Sequence, residues 1–136
     1  KANSVLKELD VSSNYDYSTG STDGAGFASG IADGVSTNGA LENLHIGSNQ
    51  TPVENMNEII AIVEAKPAMK VLCAVPFRDK TITELDVSGQ SLGVEGALVI
   101  RRYLENNGAL TSLNLASNGI QAEGAKHVAA VLPECK

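Results

Sequence analysis

Two stretches of this chain follow one pattern of apolar residues. The first, ITELDVSGQSL, begins at Ile82 and is followed by Gly96-Ala97, and the second, LTSLNLASNGI, begins at Leu110 and is followed by Gly124-Ala125. The step between them is 110 − 82 = 28 residues. A chain with a repeat of this length stacks similar units side by side instead of closing around one core. The repeat therefore constrains the fold more than any other feature.

Each unit contains the pattern of a strand followed by the pattern of a helix. In Leu113-Asn114-Leu115 the apolar residues alternate with a polar one, which is typical of a strand with two different faces. From Ala125 to Leu132 the apolar residues have the spacing of an amphipathic helix. Repetition of such a unit predicts parallel strands with helices on one side, so that the other face of the sheet is free to bind a partner.

The pattern L-x-x-L-x-L-x-x-N-x-I-x-x-x-G-A, followed by a helix, resembles the leucine-rich repeat of the helix-containing, ribonuclease-inhibitor-like type. The frames that begin at Leu41 and Leu6 fit the same pattern. The resemblance implies an α/β fold, a right-handed solenoid with a five-stranded parallel sheet on its concave face and helices on its convex face. It also implies that the repeated Asn14, Asn49 and Asn118 turn inward and bond backbone groups, whereas Gln90 departs from this pattern. Family members include inhibitors, immune sensors, GTPase-activating proteins and actin-filament caps, so the resemblance leaves the function open.

The third unit is expected to lack its helix. Its strand frame begins at Met69 and the next frame begins at Ile82, only 13 residues later, with Pro76 in between. We therefore expect one domain over residues 1–136 with about five units, five strands and four helices. Two strand steps match one helix step in width, so the helices of units two and four should pack together.

The chain looks like a fragment of a longer repeat array. Both ends lack the polar capping unit that closes a solenoid, so we expect possible self-association through the uncapped ends. Tyr15 to Gly24 is rich in Gly, Ser, Thr and Asp and predicts a surface loop. Helices are expected near Gly26 to Val35, after a Thr51 cap with Pro52 at the first helical position, and near Val94 to Glu105.

Composition narrows the possible functions. The net charge is −6, which argues against a nucleic-acid or anionic membrane surface. No signal peptide opens the chain, no apolar run approaches the roughly 20 residues that span a bilayer, and two distant cysteines do not make a disulfide framework. We expect a soluble, cytoplasmic protein that needs no cofactor.

Alternation along the strands predicts which side chains point outward. They are Glu8, Asp10, Asn43, His45, Val71, Cys73, Glu84, Asp86, Ser112 and Asn114. His45 and Cys73 occupy equivalent positions of neighbouring strands, and a Cys–His pair could serve as a nucleophile or a metal site. An open sheet face lacks the cleft and oxyanion donors that catalysis needs, so we expect neither an enzyme nor a metal site.

The predicted function is binding of a protein partner on the concave face. Val71, Cys73 and Val75 form an apolar strip between two acidic pairs, Glu8 with Asp10 and Glu84 with Asp86. With His45 and Asn114 on the same face, this arrangement predicts a partner with a basic, partly apolar surface. Two alternatives stay open: the strand register slips so that Val71 and Val75 face the core, or the chain is a ligand-sensing or regulatory fragment of a larger signalling protein. A GTPase-activating role would use Arg78, the one arginine in a loop placed for it.

Overall fold

A computed structural model describes residues 3–15 and 23–132 of the protein. Over these residues the chain forms five short strands and four helices, and a helix follows every strand except the third. The elements in chain order are β1 (Glu8–Asp10), α1 (Gly24–Thr37), β2 (Asn43–His45), α2 (Val53–Glu64), β3 (Val71–Leu72), β4 (Glu84–Asp86), α3 (Gly93–Asn106), β5 (Ser112–Asn114) and α4 (Gln121–Ala129). Most of the predicted Tyr15 to Gly24 loop lies outside the described residues.

The strands form two parallel sheets, so the expected single sheet of five strands is wrong. One sheet has the order β1-β2-β3 and the other pairs β4 with β5. The sheet is interrupted because β3 ends at Leu72, where Cys73 and Ala74 follow with φ values of 47° and 64°. This left-handed turn brings Val75 back to pair with Leu72 in an antiparallel bridge. The chain has then left the direction of the sheet and does not pair with β4.

The core lies between the strands and the helices. The central residue of each three-residue strand points inward, and Leu44 of β2 is fully buried. On α2 the predicted stripe of Met56, Ile59, Ile60 and Val63 is buried, as its helical spacing indicates. Pairing is in register, with Glu8 beside Asn43 beside Val71 in the first sheet and Glu84 beside Ser112 in the second.

The helices on either side of the helix-less unit pack against each other. α2 contacts α3, and Arg102 Nε lies 3.1 Å from Glu64 Oε1. A surface groove of about 250 Å³ remains between the two helices. This contact agrees with the expectation that two strand steps span the width of one helix step.

Asn49 and Asn118 are buried and bond the backbone as the resemblance implies, whereas Asn14 is exposed and donates to Val11 O of its own turn at 2.7 Å. Asn49 Nδ2 donates to the carbonyl oxygens of Ile46 at 2.8 Å and Val11 at 3.0 Å, and its Oδ1 accepts from Asn14 N at 2.7 Å. Asn118 does the same between units four and five, with its Oδ1 accepting from Gln90 N at 2.7 Å. Each inward asparagine therefore connects its own turn to the turn of the preceding unit.

Glu95 replaces an asparagine where unit two meets unit four. Its buried Oε2 accepts from Asn49 N at 2.8 Å, Thr51 N at 3.2 Å and Thr51 Oγ1 at 3.0 Å. The expectation that Thr51 caps α2 is wrong, because its hydroxyl donates to this carboxylate and the helix begins at Val53 after Pro52. The Gln90 position supplies no such acceptor, so a carboxylate from the first turn of α3 takes its place.

Candidate functional site

The face of the strands that points away from the helices carries most of the predicted site, and we call it the open face. Glu8 and Asp10 on β1 and Glu84 and Asp86 on β4 are exposed. His45 is half-buried and Asn114 is exposed on the same face. Alternation thus placed these six residues correctly, because each belongs to a strand of three residues with an inward central residue.

The apolar strip expected on β3 is absent from the open face. Val71 is half-buried beside Asn43, but Cys73 and Val75 are completely buried in the core. Alternation fails after Leu72 because the left-handed turn at Cys73 and Ala74 reverses the chain. The alternative in which both Val71 and Val75 face the core is therefore correct for Val75 and wrong for Val71.

His45 and Cys73 do not form a pair. Cys73 N donates to Leu44 O at 2.8 Å and its side chain points into the core. Burial raises the pKa of the Cys73 thiol to about 12, so the nucleophilic thiolate is not available near neutral pH. Both arguments remove the observation on which a Cys–His enzyme or a His–Cys metal site would depend.

The hydrogen bonds of His45 assign its tautomer. Its Nε2 lies 2.5 Å from Gln90 O, which can only accept, and its Nδ1 lies 3.2 Å from Gly47 N, which can only donate. These two partners fit the tautomer that has the proton on Nε2 and the lone pair on Nδ1, an assignment from bonding partners. Both nitrogens are used within the protein, so His45 offers no donor to a ligand. Instead it connects the first sheet to the turn that follows β4.

A depression of about 400 Å³ lies on the part of the open face formed by β1 and β2. We call it the β1–β2 depression, and its lining residues are Glu8, Leu9, Asp10, Asn43, His45, Ala74 and Gln90. The sequence analysis did not predict that Ala74, in the turn after β3, and Gln90, in the turn after β4, line this face. No periodicity predicts either of them, since their positions depend on the turn at Cys73 and on the contact between units two and four.

The aspartates of the open face are held ionised by local bonds. Asp10 Oδ1 accepts from Ser12 Oγ at 2.6 Å and from Ser12 N at 2.9 Å, and these bonds lower the pKa of Asp10, with a smaller contribution from His45. Asp86 has the same bonds from Ser88, at 2.7 Å and 2.9 Å, and its pKa is lowered for the same reason. These two aspartates therefore stay charged to a lower pH than an ordinary aspartate does.

Basic residues near the first sheet are already paired with another carboxylate. Lys7 and Lys70 lie 3.2 Å and 2.8 Å from the Glu42 oxygens. Among the residues that the structure describes, no lysine or arginine pairs with the four carboxylates of the open face. The face therefore presents uncompensated negative charge to a partner.

Arg78 is not placed as an arginine finger. Its guanidinium donates to the carbonyl oxygens of Met69 at 2.8 Å, Glu64 at 3.1 Å and Lys66 at 2.6 Å, and it stacks on the Phe77 ring at 4.8 Å. These bonds satisfy the last carbonyl group of α2 and carbonyl groups in the segment that follows it. Arg78 is thus committed to the fold, and the GTPase-activating interpretation loses the residue on which it depends.

Residues 107–129 match a protein-family model described as Leucine Rich repeat. This segment begins directly after α3 and contains the whole of β5 and all of α4, so the match covers one unit of the fold. No curated protein matches the chain. Within the described residues no helix has the length and apolarity needed to cross a bilayer, and no three His, Cys, Asp or Glu side chains are grouped to hold a metal ion.

The match supports a leucine-rich repeat in this segment, and other units share its geometry. The pairing of β1 with β2 has the same register as that of β4 with β5, at residues 35 and 28 positions apart. Asn49 and Asn118 also make equivalent bonds. Leucine-rich repeats typically bind proteins and are typically not catalytic, which directs attention to the open face instead of to a reactive centre.

Proposed function

We propose that this chain is a protein-interaction module of the ribonuclease-inhibitor-like leucine-rich repeat type, a right-handed solenoid segment without catalytic activity of its own. Its open face corresponds to the concave face of such a solenoid. The partner is a protein with a basic, partly apolar surface. One observation carries the proposal: Glu8, Asp10, Glu84 and Asp86 are exposed on one face and are not paired with a described basic residue.

The four carboxylates of the open face can steer the approach of a basic partner. Four carboxylates on one face attract a basic surface over distances of about 10 Å at moderate ionic strength, and such steering acts on the association rate more than on affinity. The apolar contribution differs from the sequence expectation, because only Val71 of the predicted strip is accessible. The partner's apolar contact is therefore expected to be small and centred at Val71.

The proposal is tested with charge-reversal variants on each face. The chain is used to capture proteins from its source, and the affinity of an identified, purified partner is then measured by calorimetry. Glu84→Lys/Asp86→Lys should weaken binding by about tenfold or more, since unlike charges become like charges. Glu58→Lys, which reverses an exposed charge on α2, is the control and should leave affinity unchanged. Equal affinities for the parent and the Glu84→Lys/Asp86→Lys chain would reject the open face as the binding site.

Self-association has separate support on the surface of the first unit. Val5 and Leu6 are 72% and 42% exposed, and an apolar groove of about 180 Å³ lies between Leu6, Ile31 and Leu41. Exposed apolar surface of this kind favours association between copies. Light scattering over a range of concentrations should show larger species for the parent chain than for Leu6→Glu, and a monomer at every concentration would exclude this contact.

A further inference from the structure

The β1–β2 depression lies beside a position in the sheet that β3 leaves empty. The register places His45 opposite Cys73 if β3 is continued by one residue beyond Leu72. Cys73 is instead buried, and the next residue, Ala74, has φ 64° and contributes only a methyl group to the depression. A regular parallel sheet would fill this position with an outward side chain. The interruption of the sheet thus creates an opening of about 400 Å³.

The depression presents hydrogen-bond acceptors and carries negative charge. Glu8 supplies a carboxylate that no described residue bonds, and Asp10 keeps one oxygen free because both Ser12 bonds go to Oδ1. The side-chain amides of Asn43 and Gln90 also lack a described partner and can each turn an oxygen inward. His45 uses both ring nitrogens elsewhere, so it contributes no competing donor.

We propose that the β1–β2 depression binds an arginine side chain of the basic partner, held by Glu8 and Asp10 with Asn43 and Gln90 completing the acceptor set. The proposal rests on the proposed function and names the group that the open face recognises. Charge complementarity identifies the occupant, since two carboxylates without a basic partner face the same opening.

The spacing of the carboxylates favours arginine over lysine. Glu8 and Asp10 are two residues apart on one strand, which places their Cα atoms about 6.6 Å apart. Carboxylates on side chains that start this far apart suit a guanidinium, which has donors on several edges of a plane, better than an ammonium, whose three donors share one nitrogen. The five N–H groups of a guanidinium can also use more of the acceptors in the depression than the three N–H groups of an ammonium.

The second sheet provides a matched control within the same chain. β4 repeats the tripeptide Glu-Leu-Asp of β1, and its aspartate makes the same bonds to a serine two residues later. The outward positions paired with each acidic pair are filled in both sheets, by Asn43 and His45 beside β1 and by Ser112 and Asn114 beside β4. Glu8 and Asp10 line the β1–β2 depression and Glu84 and Asp86 do not. Neutralising Glu84 and Asp86 therefore removes the same charge from an identical sequence outside the depression.

The experiment compares arginine and lysine homopeptides of equal length with blocked termini. Affinity is measured by calorimetry at low ionic strength, and binding sites are located by amide chemical-shift changes. The proteins are the parent chain, Glu8→Gln/Asp10→Asn, Glu84→Gln/Asp86→Asn, and Ala74→Asn. The last variant narrows the depression without a change in charge, and asparagine tolerates the left-handed backbone at this position.

We expect the parent chain to prefer the arginine peptide by about tenfold, the ratio that corresponds to one additional charge-assisted hydrogen bond. Glu8→Gln/Asp10→Asn and Ala74→Asn should both remove this preference, whereas Glu84→Gln/Asp86→Asn should lower both affinities and keep it. Equal affinity of the parent for the two peptides would overturn the arginine site while leaving an acidic binding face. Equal effects of Glu8→Gln/Asp10→Asn and Glu84→Gln/Asp86→Asn on the preference for arginine would do the same. If neither neutralised pair changes binding of either peptide, the proposed function fails as well.

Discussion

Asp10 and Asp86 show how one residue can set both charge and local structure on the open face. Each carboxylate accepts two bonds from the serine two positions later, so a short turn fixes its orientation. The sequence contains this feature as Asp-Val-Ser in both units. Its effect is to lower both pKa values, since the bonds favour the charged form.

The first prediction concerns the contribution of Ser12. Ser12→Ala removes the hydroxyl donor and should raise the Asp10 pKa toward about 3.9, the ordinary value for an aspartate. The folded pKa of the parent lies below the unfolded one, so this interaction stabilises the fold above about pH 4 and is lost as pH falls through the folded pKa. Carboxyl carbon NMR titration measures the change, with Asp86 in the same sample as the unchanged reference. An Asp10 pKa that is the same in both proteins would contradict the assignment.

The second prediction concerns Cys73. In a Cys135→Ser background, Cys73 should react with a thiol reagent near pH 8 only as fast as the fold opens, because the side chain is buried and its pKa is raised to about 12. Adding denaturant should accelerate the reaction by orders of magnitude. Rapid labelling of the native protein would instead place the thiol on the surface, as simple strand alternation expects.

At the scale of elements, close contact between the turn after β2 and the start of α3 decides where glycine is required. A Cβ added at Gly47 would lie 2.2 Å from Ser91 O and 2.5 Å from Leu92 O. Both neighbours are backbone atoms and cannot move independently. The contact exists because the chain turns back into the core after β3, at Cys73 and Ala74, so that unit three places no asparagine turn between the turn after β2 and the turn after β4.

We therefore predict that Gly47→Ala lowers the free energy of unfolding by about 1–3 kcal/mol, the usual cost of overpacking. Gly39→Ala is the control, since no atom lies within 4 Å of a Cβ built there. Urea denaturation of both variants measures the difference. A Gly47→Ala protein as stable as the Gly39→Ala protein would show that the two turns are not tightly packed.

Helix α1 carries one glycine that close packing requires, Gly24, and others, such as Gly34, that weaken the helix without helping it pack. A Cβ at Gly34 would meet no atom within 4 Å, whereas one at Gly24 would lie 2.3 Å from Gln50 O. Gly34→Ala should therefore stabilise the protein by about 0.5–1 kcal/mol, because alanine loses less backbone entropy in a helix. Gly24→Ala should destabilise it. Thermal unfolding distinguishes the two, and a loss of stability in Gly34→Ala would mean that the exposed side of α1 has a further contact.

For the whole molecule, the decisive feature is the junction between units two and four. It is formed by the Glu95 bonds, the His45 to Gln90 bond and the packing of α2 on α3. Glu123 stands 28 residues after Glu95, at the same position of the next helix, yet it is exposed. The two positions are equivalent in the repeat but differ in burial. Glu95 faces the turn of unit two, for which unit three supplies no asparagine acceptor, whereas Asn118 supplies that acceptor for the turn of unit four.

The last prediction tests this junction. Glu95→Ala should lower stability by about 3 kcal/mol, since three donors lose their acceptor at about 1 kcal/mol or more each. Glu123→Ala should change stability by less than about 0.5 kcal/mol, as expected of a surface substitution. Denaturation followed by two probes, one in each sheet, would also show whether the halves separate before global unfolding. Equal effects of the two substitutions would contradict the role of Glu95.

The sequence by itself determined the features that depend on local spacing. Strand positions, the buried stripe of α2 and the missing third helix follow from periodicity and chain length, because neighbouring residues on one element fix them. The inward turn of Asn49 and Asn118 follows from the resemblance to the leucine-rich repeat. The acidic pairs of the open face follow from the same alternation.

Only the tertiary structure decided what happens where the repeat is broken. The end of β3 at Leu72, the burial of Cys73 and Val75, and the opening beside His45 depend on two left-handed residues, for which the sequence offers neither glycine nor asparagine. The burial of Glu95 depends on which unit is its neighbour in space. Periodicity describes one unit at a time, whereas these features arise from the contact between units two and four, which are brought together by the short segment that replaces a helix.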